Sequence, residues 1–252
     1  MKKKLVCVMT ALVMAAAVGC GGSKDAKSPE AETTKAETTA AETKKEETTA
    51  AETTKEETTE APTEAKEEGP AFQTGTWDEL VFTNPWLGLT LTFPEDSYVC
   101  TEEEVQAVLG AGQEVLVNNG NYTEAQLKLS EATTVYDFMV VLPDGQSNIQ
   151  LAYENIKLTA GGMDISAEDY LNIVWEQVSK IADMQYKKEG EEKVDLAGQS
   201  FAKLSASLME GALYQDYYSI CLGDHMVTMT VSYVPESKDV VDELIAGITA
   251  AQ

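Results

Sequence analysis

Arginine is absent from all 252 residues, and histidine occurs once, as His225. Without a guanidinium fork the chain has no bidentate clamp for phosphate, and a formal charge of −25 sets its surface against polyanions. Nucleic acid, anionic headgroups and wall phosphates are therefore excluded as partners of the protein face. A single imidazole cannot build a His-rich zinc site. No serine stands in a GxSxG nucleophile elbow. The acidic groups Glu102-Glu103-Glu104, Glu189-Glu191-Glu192 and Asp239-Asp242-Glu243 lack the alternating ligands, central glycine and closing glutamate of a calcium loop. Gly161-Gly162 lacks the further glycines and the lysine of a phosphate loop. From these absences no catalytic residue, no cofactor and no metal ligand is expected, and the chain is read as a non-enzyme. Long hydrophobic runs are missing too. The longest, Leu5 to Val18, is too short to span a bilayer.

That run is instead of the length of a signal-peptide core, and it follows a positive stretch, Lys2-Lys3-Lys4. It leads into Ala17-Val18-Gly19-Cys20, the pattern of a bacterial lipobox, in which small residues let a peptidase hold the chain extended and the cysteine accepts diacylglycerol. Residues 1–19 are accordingly read as a signal peptide and Cys20 as the lipidated mature N-terminus. From Ser23 to about Gly69 the composition falls to Ala, Glu, Thr and Lys, with no aromatic residue. A five-residue repeat, AETTK AETTA AETKK EETTA AETTK EETTE, fills Ala31 to Glu60. Five residues do not match the helical period, so the glutamates cannot form a face, and nothing there can build a core. Residues 20–69 are read as a disordered linker that reaches on the order of 40 Å by random-coil scaling. Its threonines are either bare or carriers of O-linked sugars. The address is the extracytoplasmic face of the cell membrane, held through lipid on Cys20.

Residues 70–252 carry 29 acids against 8 lysines, a net of −21, and are long enough for one domain with its own core. Thr76 to Thr83 and Leu87 to Phe93 read as a hairpin around Thr83-Asn84-Pro85-Trp86. Thr101 with Glu104 forms a capping box that opens a helix expected to end near Gly110 to Gly112. A short helix is expected from Thr123 to Ser130. Val135 to Leu142 and Ser147 to Tyr153 flank Pro143-Asp144-Gly145, a hairpin signal. Ser166 with Asp169 starts a helix through Ile181. Five strands follow: Met184 to Gly190, Glu192 to Leu196, Ser200 to Met209, Leu213 to Cys221 and Met226 to Tyr233. A helix from Glu236 to Ile248 ends the chain. The class is α+β, an antiparallel sheet layered with helices.

Cys7 leaves with the signal, so Cys100 and Cys221 remain in an oxidising compartment, either as one disulfide or as two packed thiols. Trp77, Trp86 and Trp175, with Tyr214, Tyr217 and Tyr218, either line a groove for a peptide or sugar or serve as core. His225, in Gly223-Asp224-His225, reads as a solvent-exposed turn residue.

The order of elements, with LGLTLTFPEDSY in the first hairpin, SAEDYLNIVWEQV in the main helix, then DLAGQSFAKLSASL and GALYQDYYSICLGDHMVTMTVSY, resembles the PsbP-like fold, which the Ran-binding Mog family shares. The likeness covers nearly all of residues 75 to 250. It implies an α/β/α sandwich acting as a non-catalytic docking scaffold, and it carries over no binding residue. The expected role is a membrane-anchored module that binds an unidentified protein or small ligand. The alternatives are a ligand-capturing or accessory lipoprotein of a transporter and, behind it, an extracellular hydrolase.

Overall fold

The computed structural model describes residues 71–118, 124–159 and 164–251; the signal segment, Cys20, the repeat spacer and Gly161-Gly162 lie outside the described residues. Strands β1 (Thr76–Asp78), β2 (Val81–Asn84), β3 (Leu89–Thr92) and β11 (Thr249–Ala250) form a small sheet in the order β1-β2-β3-β11. The larger sheet uses β4 (Tyr98–Val99), β5 (Thr134–Val141), β6 (Asn148–Asn155), β7 (Lys187–Leu196), β8 (Gln199–Leu208), β9 (Leu213–Leu222) and β10 (His225–Tyr233). Its order is β4-β5-β6-β10-β9-β8-β7, and every pairing is antiparallel. The helices are α1 (Glu102–Asn118), α2 (Glu124–Thr133), α3 (Ile156–Thr159), α4 (Ala167–Val178) and α5 (Lys238–Ala246). The α+β class and its antiparallel sheet stand.

Alternation along the strands gives the large sheet two faces. One carries Phe138, Val140, Ile149, Leu151, Tyr153, Val227, Met229 and Val231, packed with Phe82, Leu89 and Leu91 of the small sheet and with Val241 and Leu244 of α5. The layer on this face is thus a small sheet beside a helix. The other face offers Ala202, Leu204, Ala206, Tyr217 and Met226 to Tyr170, Leu171, Val174 and Val178 of α4. Near the opposite edge of the sheet, Met139 meets Val105 and Leu109 of α1.

The caps behave as their residue types require. The Thr101 amide donates to Glu104 Oε2 at 2.9 Å while the Glu104 amide donates to Thr101 Oγ1 at 3.3 Å, both halves of a capping box. Ser166 Oγ accepts from the Asp169 amide at 3.1 Å and starts α4. Asp144 closes the β5–β6 hairpin by accepting from the amides of Gln146 and Ser147 at 2.8 and 2.7 Å, and its other oxygen accepts from Ser237 at the entry to α5. Burial opposes ionisation of Asp144, yet these donors together hold its carboxyl below the usual carboxylate range.

Three expectations change. The stretch from Thr76 to Thr83 is itself a hairpin, because Glu79 takes a left-handed turn (φ 53°) that folds β1 back on β2. Helix α1 runs through Gly110 to Asn118; a Cβ at Gly110 would meet open space, so that glycine costs the helix about 1 kcal/mol of propensity without ending it. The strands expected at Met184 to Gly190 and Glu192 to Leu196 are one strand, β7, which starts only at Lys187 after a 3-10 turn ending at Met184; its register shifts between Lys188 and Gly190, so the glycine marks a bulge instead of a break.

Candidate functional site

The three tryptophans do not share a groove. Trp77 lies against Phe82, Phe93 and Phe138 with ring centroids 5.2, 5.6 and 5.5 Å away. Trp86 meets Phe72, Tyr153 and His225 at 5.1, 5.8 and 5.8 Å. Trp175 belongs to α4 on the other face of the large sheet, where Lys188 Nζ sits 5.1 Å from its ring. Of the two alternatives, packing accounts for all three, and Trp77 and Trp86 lie on the opposite face of the large sheet from Trp175, so Trp77, Trp86 and Trp175 do not form one groove. The tyrosines divide in the same way. Tyr217 points toward the helices and donates to Gln215 Oε1, whereas Tyr214 and Tyr218 lie on the opposite side of β9.

Cys100 and Cys221 are not joined by a disulfide. The Cys100 amide bonds the Met139 carbonyl of β5, and Cys221 sits on β9, so β5, β6 and β10 stand between them. Four strand spacings of about 4.8 Å separate them laterally. A disulfide needs Cα atoms about 4.4–6.8 Å apart. The bond between Cys100 and Cys221 is therefore not formed in this fold.

His225 is not a free turn residue. It opens β10 and stacks on Phe72, with centroids 4.4 Å apart and rings inclined by 12°. Burial holds its pKa below the ordinary histidine value, against a smaller opposing pull from Asp224. Phe72 belongs to a strap, residues 71–75, that precedes β1. The Gly75 amide donates to Asp137 Oδ2 at 2.9 Å, and Asn84 Nδ2 reaches the Gln73 carbonyl at 3.2 Å. Beneath it, Tyr153 Oη donates to Asp137 Oδ2 at 2.5 Å and accepts from Asn84 Nδ2 at 2.8 Å. Burial first, and the Asp137 charge second, push the Tyr153 hydroxyl far above the usual tyrosine range, so it stays a donor. Only glycine fits at position 75, since a Cβ there would lie 2.2 Å from the Phe82 ring. This cluster fastens the strap; each of its polar groups is occupied by another.

A cavity of about 340 Å³ opens beside the start of β7 and the end of β8, lined by Gln185, Lys187, Glu189, Ser207, Glu210 and Tyr214. The Tyr214 ring is braced by stacking on Tyr233, with centroids 5.7 Å apart and an inclination of 20°. Glu189 is held by Ser207 Oγ at 2.6 Å and Lys187 Nζ at 2.9 Å, in that order the causes that lower its pKa. Both bonds land on Oε1. Left-handed backbone surrounds the opening: Gln185 (φ 50°) on one side, Met209 (φ 52°), Glu210 (φ 59°) and Gly211 (φ 87°) on the other. Only the last is a glycine, so the wall is built at a cost of about 1 kcal/mol or more for each other residue. Sequence reading singled out Tyr214 but assigned no role to Gln185, Ser207 or Glu210, and it tried Glu189 only as a calcium ligand. No sequence signal marks a left-handed Met209 or Glu210.

A second hollow, about 210 Å³, lies between α4 and the β7–β8 hairpin and includes Glu168, Asn172, Glu192, Lys193 and Lys203. Its charges neutralise one another: Lys193 pairs with Glu168 at 2.5 Å, and Lys203 with Glu192 at 3.2 Å and Asp216 at 3.7 Å. Among the described residues, no group of three or more His, Cys, Asp or Glu side chains could hold a metal ion. No helix among them is long and apolar enough to cross a membrane.

No protein-family model and no curated protein matches the chain. Among solved structures, the chain is similar to cyanobacterial PsbP (CyanoP) from Synechocystis sp. PCC 6803, at 12% identity and a TM-score of 0.42, over 73% of this chain and 96% of that one. It is similar to LpqN, involved in cell envelope biogenesis of Mycobacterium tuberculosis, at 13% identity and a TM-score of 0.36, over 65% and 83% of the two chains. A protein from Bacteroides thetaiotaomicron VPI-5482 is similar at 12% identity and a TM-score of 0.34, over 68% of this chain and 48% of the other.

Proposed function

We propose that the chain is an extracytoplasmic lipoprotein, held on the membrane by lipid on Cys20 and a spacer of residues 20–69, whose folded domain binds a partner without catalysing a reaction. The observation that carries this reading is how the domain uses its reactive side chains. Asp137 serves Tyr153, Asn84 and Gly75; Asp144 serves the β5–β6 hairpin and Ser237; His225 stacks on Phe72. Each of these groups is tied to the fold, and among the described residues no nucleophile and base face one another across a cleft.

Ligand capture, alone or in the service of a transporter, is the second reading. The cavity beside Tyr214 favours it, because about 340 Å³ falls in the range of roughly 300–1,000 Å³ typical of small-ligand sites.

Anchoring is tested by Cys20→Ala. The variant is expected to leave the membrane fraction, appearing in the medium or as an unprocessed precursor, while Cys7→Ala fractionates like the parent. A Cys20→Ala chain that is still matured and still sediments with membranes defeats the lipid anchor.

A further inference from the structure

We propose that the cavity beside Tyr214 is a binding site for a neutral saccharide of one or two rings. This rests on the binding-module reading and names the ligand class of that module.

The walls select by elimination and by fit. An anionic ligand would meet Glu189 and Glu210 on a domain of 29 acids and 8 lysines. The acidic surface would draw a cationic ligand toward the opening, but the Lys187 ammonium stands in the wall and already pairs with Glu189 Oε1 at 2.9 Å, so glucosamine tests that class directly. An apolar ligand would strip water from a carboxylate, an amide, an ammonium and a hydroxyl without replacing their hydrogen bonds. A sugar matches what is left. Its C–H face can lie on the Tyr214 ring, and its vicinal hydroxyls can donate to Glu189 Oε2 and Glu210 and exchange bonds with the Gln185 amide.

The site is also fixed in advance. Tyr214 is stacked on Tyr233, and Glu189 is clamped by Ser207 and Lys187, so little ordering remains to be done when a ligand arrives. The left-handed pair Met209 and Glu210 adds an independent pointer. Position 210 would be relaxed by glycine, yet it holds a glutamate that lines the cavity. A side chain kept at a conformational cost in the lining of a cavity fits a ligand contact better than a turn.

The test uses the full-length chain carrying Cys20→Ala, which changes no residue of the domain. Glucose, N-acetylglucosamine and N,N′-diacetylchitobiose are titrated by calorimetry and by NMR, with glucosamine and glucose 6-phosphate as the charged controls. Saturable binding of at least one neutral sugar is expected in the millimolar range or tighter. Tyr214→Ala should weaken it about tenfold. Glu210→Gly is the variant a structural role cannot mimic: its melting midpoint should rise by about 1–2 °C as the left-handed cost is relieved, while sugar binding weakens at least about threefold. Trp175→Phe, on the other face of the sheet, should leave binding unchanged.

No saturation by any neutral sugar up to about 50 mM overturns the proposal. So does binding that survives both Tyr214→Ala and Glu210→Gly, and so does binding of glucosamine or the phosphate alone. If every sugar fails while Cys20 still controls membrane attachment, the ligand class is wrong and the anchored module stands. If the sugar binds while Cys20→Ala remains on the membrane, the anchor is wrong and the site stands.

Discussion

Strand β6 is buried along both sides, yet its two sides are made of different chemistry. Ile149, Leu151 and Tyr153 enter the apolar cluster under the small sheet; Asn148, Gln150 and Glu154 face the helices and are as deeply buried. The neighbouring strands repeat the division. β10 sets Val227, Met229 and Val231 on the first face against Thr228, Thr230 and Ser232 on the second, and β9 places Gln215 and Ser219 on the second. The helix-facing side thus has apolar margins, where α4 and α1 pack, and a polar band between them. Much of that band is hydrogen-bonded: Gln215 accepts from Tyr186 and Tyr217 and donates to Ser232 at 3.0 Å, Ser219 and Thr228 share a bond of 2.7 Å, and Tyr170 donates to Glu154 at 2.8 Å. The contrast separates two jobs of a core. Apolar burial supplies most of the stabilisation, whereas a satisfied polar network penalises any arrangement that would leave its members unpaired.

The comparison is sharpened most by the residue on which the apolar face converges. Phe82 is fully buried, with Phe138 and Trp77 rings 4.7 and 5.2 Å away and Gly75 pressed against it. Phe82→Ala removes a large ring from walls that cannot close, because both sheets are held by their own ladders. A loss of about 3–5 kcal/mol is expected, read as a lower urea midpoint with unchanged slope. A loss below about 1 kcal/mol would mean that the small sheet is loosely attached and contributes little.

The apolar half of this architecture was legible in the sequence because alternation and turn residues report it directly. Pro143-Asp144-Gly145 gave the β5–β6 hairpin, Thr101 and Glu104 gave the capping box, and the spacing of Tyr170, Val174 and Val178 gave α4. The polar band was not legible. In NIQLAYEN polar Asn148, Gln150 and Glu154 are set among apolar neighbours, and an isolated strand carries no mark of the helices that will cover its Asn and Gln. The cavity beside Tyr214 stayed hidden for a related reason. It joins residues from 185 to 214 through left-handed turns at Gln185 and Glu210, non-glycine positions whose geometry no residue preference announces. The tryptophans left groove and core both open because an aromatic residue is equally at home in either.

Gln215 tests the polar half at the next magnitude down. Gln215→Leu keeps the volume roughly constant but removes the acceptor of two buried tyrosine hydroxyls and the donor to Ser232. Burial keeps both hydroxyls protonated, with the pKa of Tyr186 and Tyr217 driven up, so neither can escape the loss by ionising. About 1–3 kcal/mol should be lost, less than for Phe82→Ala, and the double variant Gln215→Leu with Tyr217→Phe should recover part of it. If Gln215→Leu is as stable as the parent, water reaches the band and the two faces are less different than their burial suggests.

Thr230 gives the smallest effect and the most direct statement about the band. It lies at the middle of β10, opposite Gln150 on one side and Tyr217 on the other, with no exposure, and its Oγ1 is buried without a hydrogen-bond partner in the structure. A buried hydroxyl in that state gives up its hydration and receives nothing back. Thr230→Val replaces it with a methyl group of similar size and keeps the β-branched shape that a strand favours. The expected change is therefore opposite in sign to the other two: neutral to about 1 kcal/mol more stable, or up to roughly 2–4 °C in melting midpoint for a domain of this size. A loss of more than about 1 kcal/mol would place a partner on that oxygen, a bound water or a neighbouring side chain. The polar band would then be satisfied at its centre as well as at Gln215 and Ser219, a complete second core.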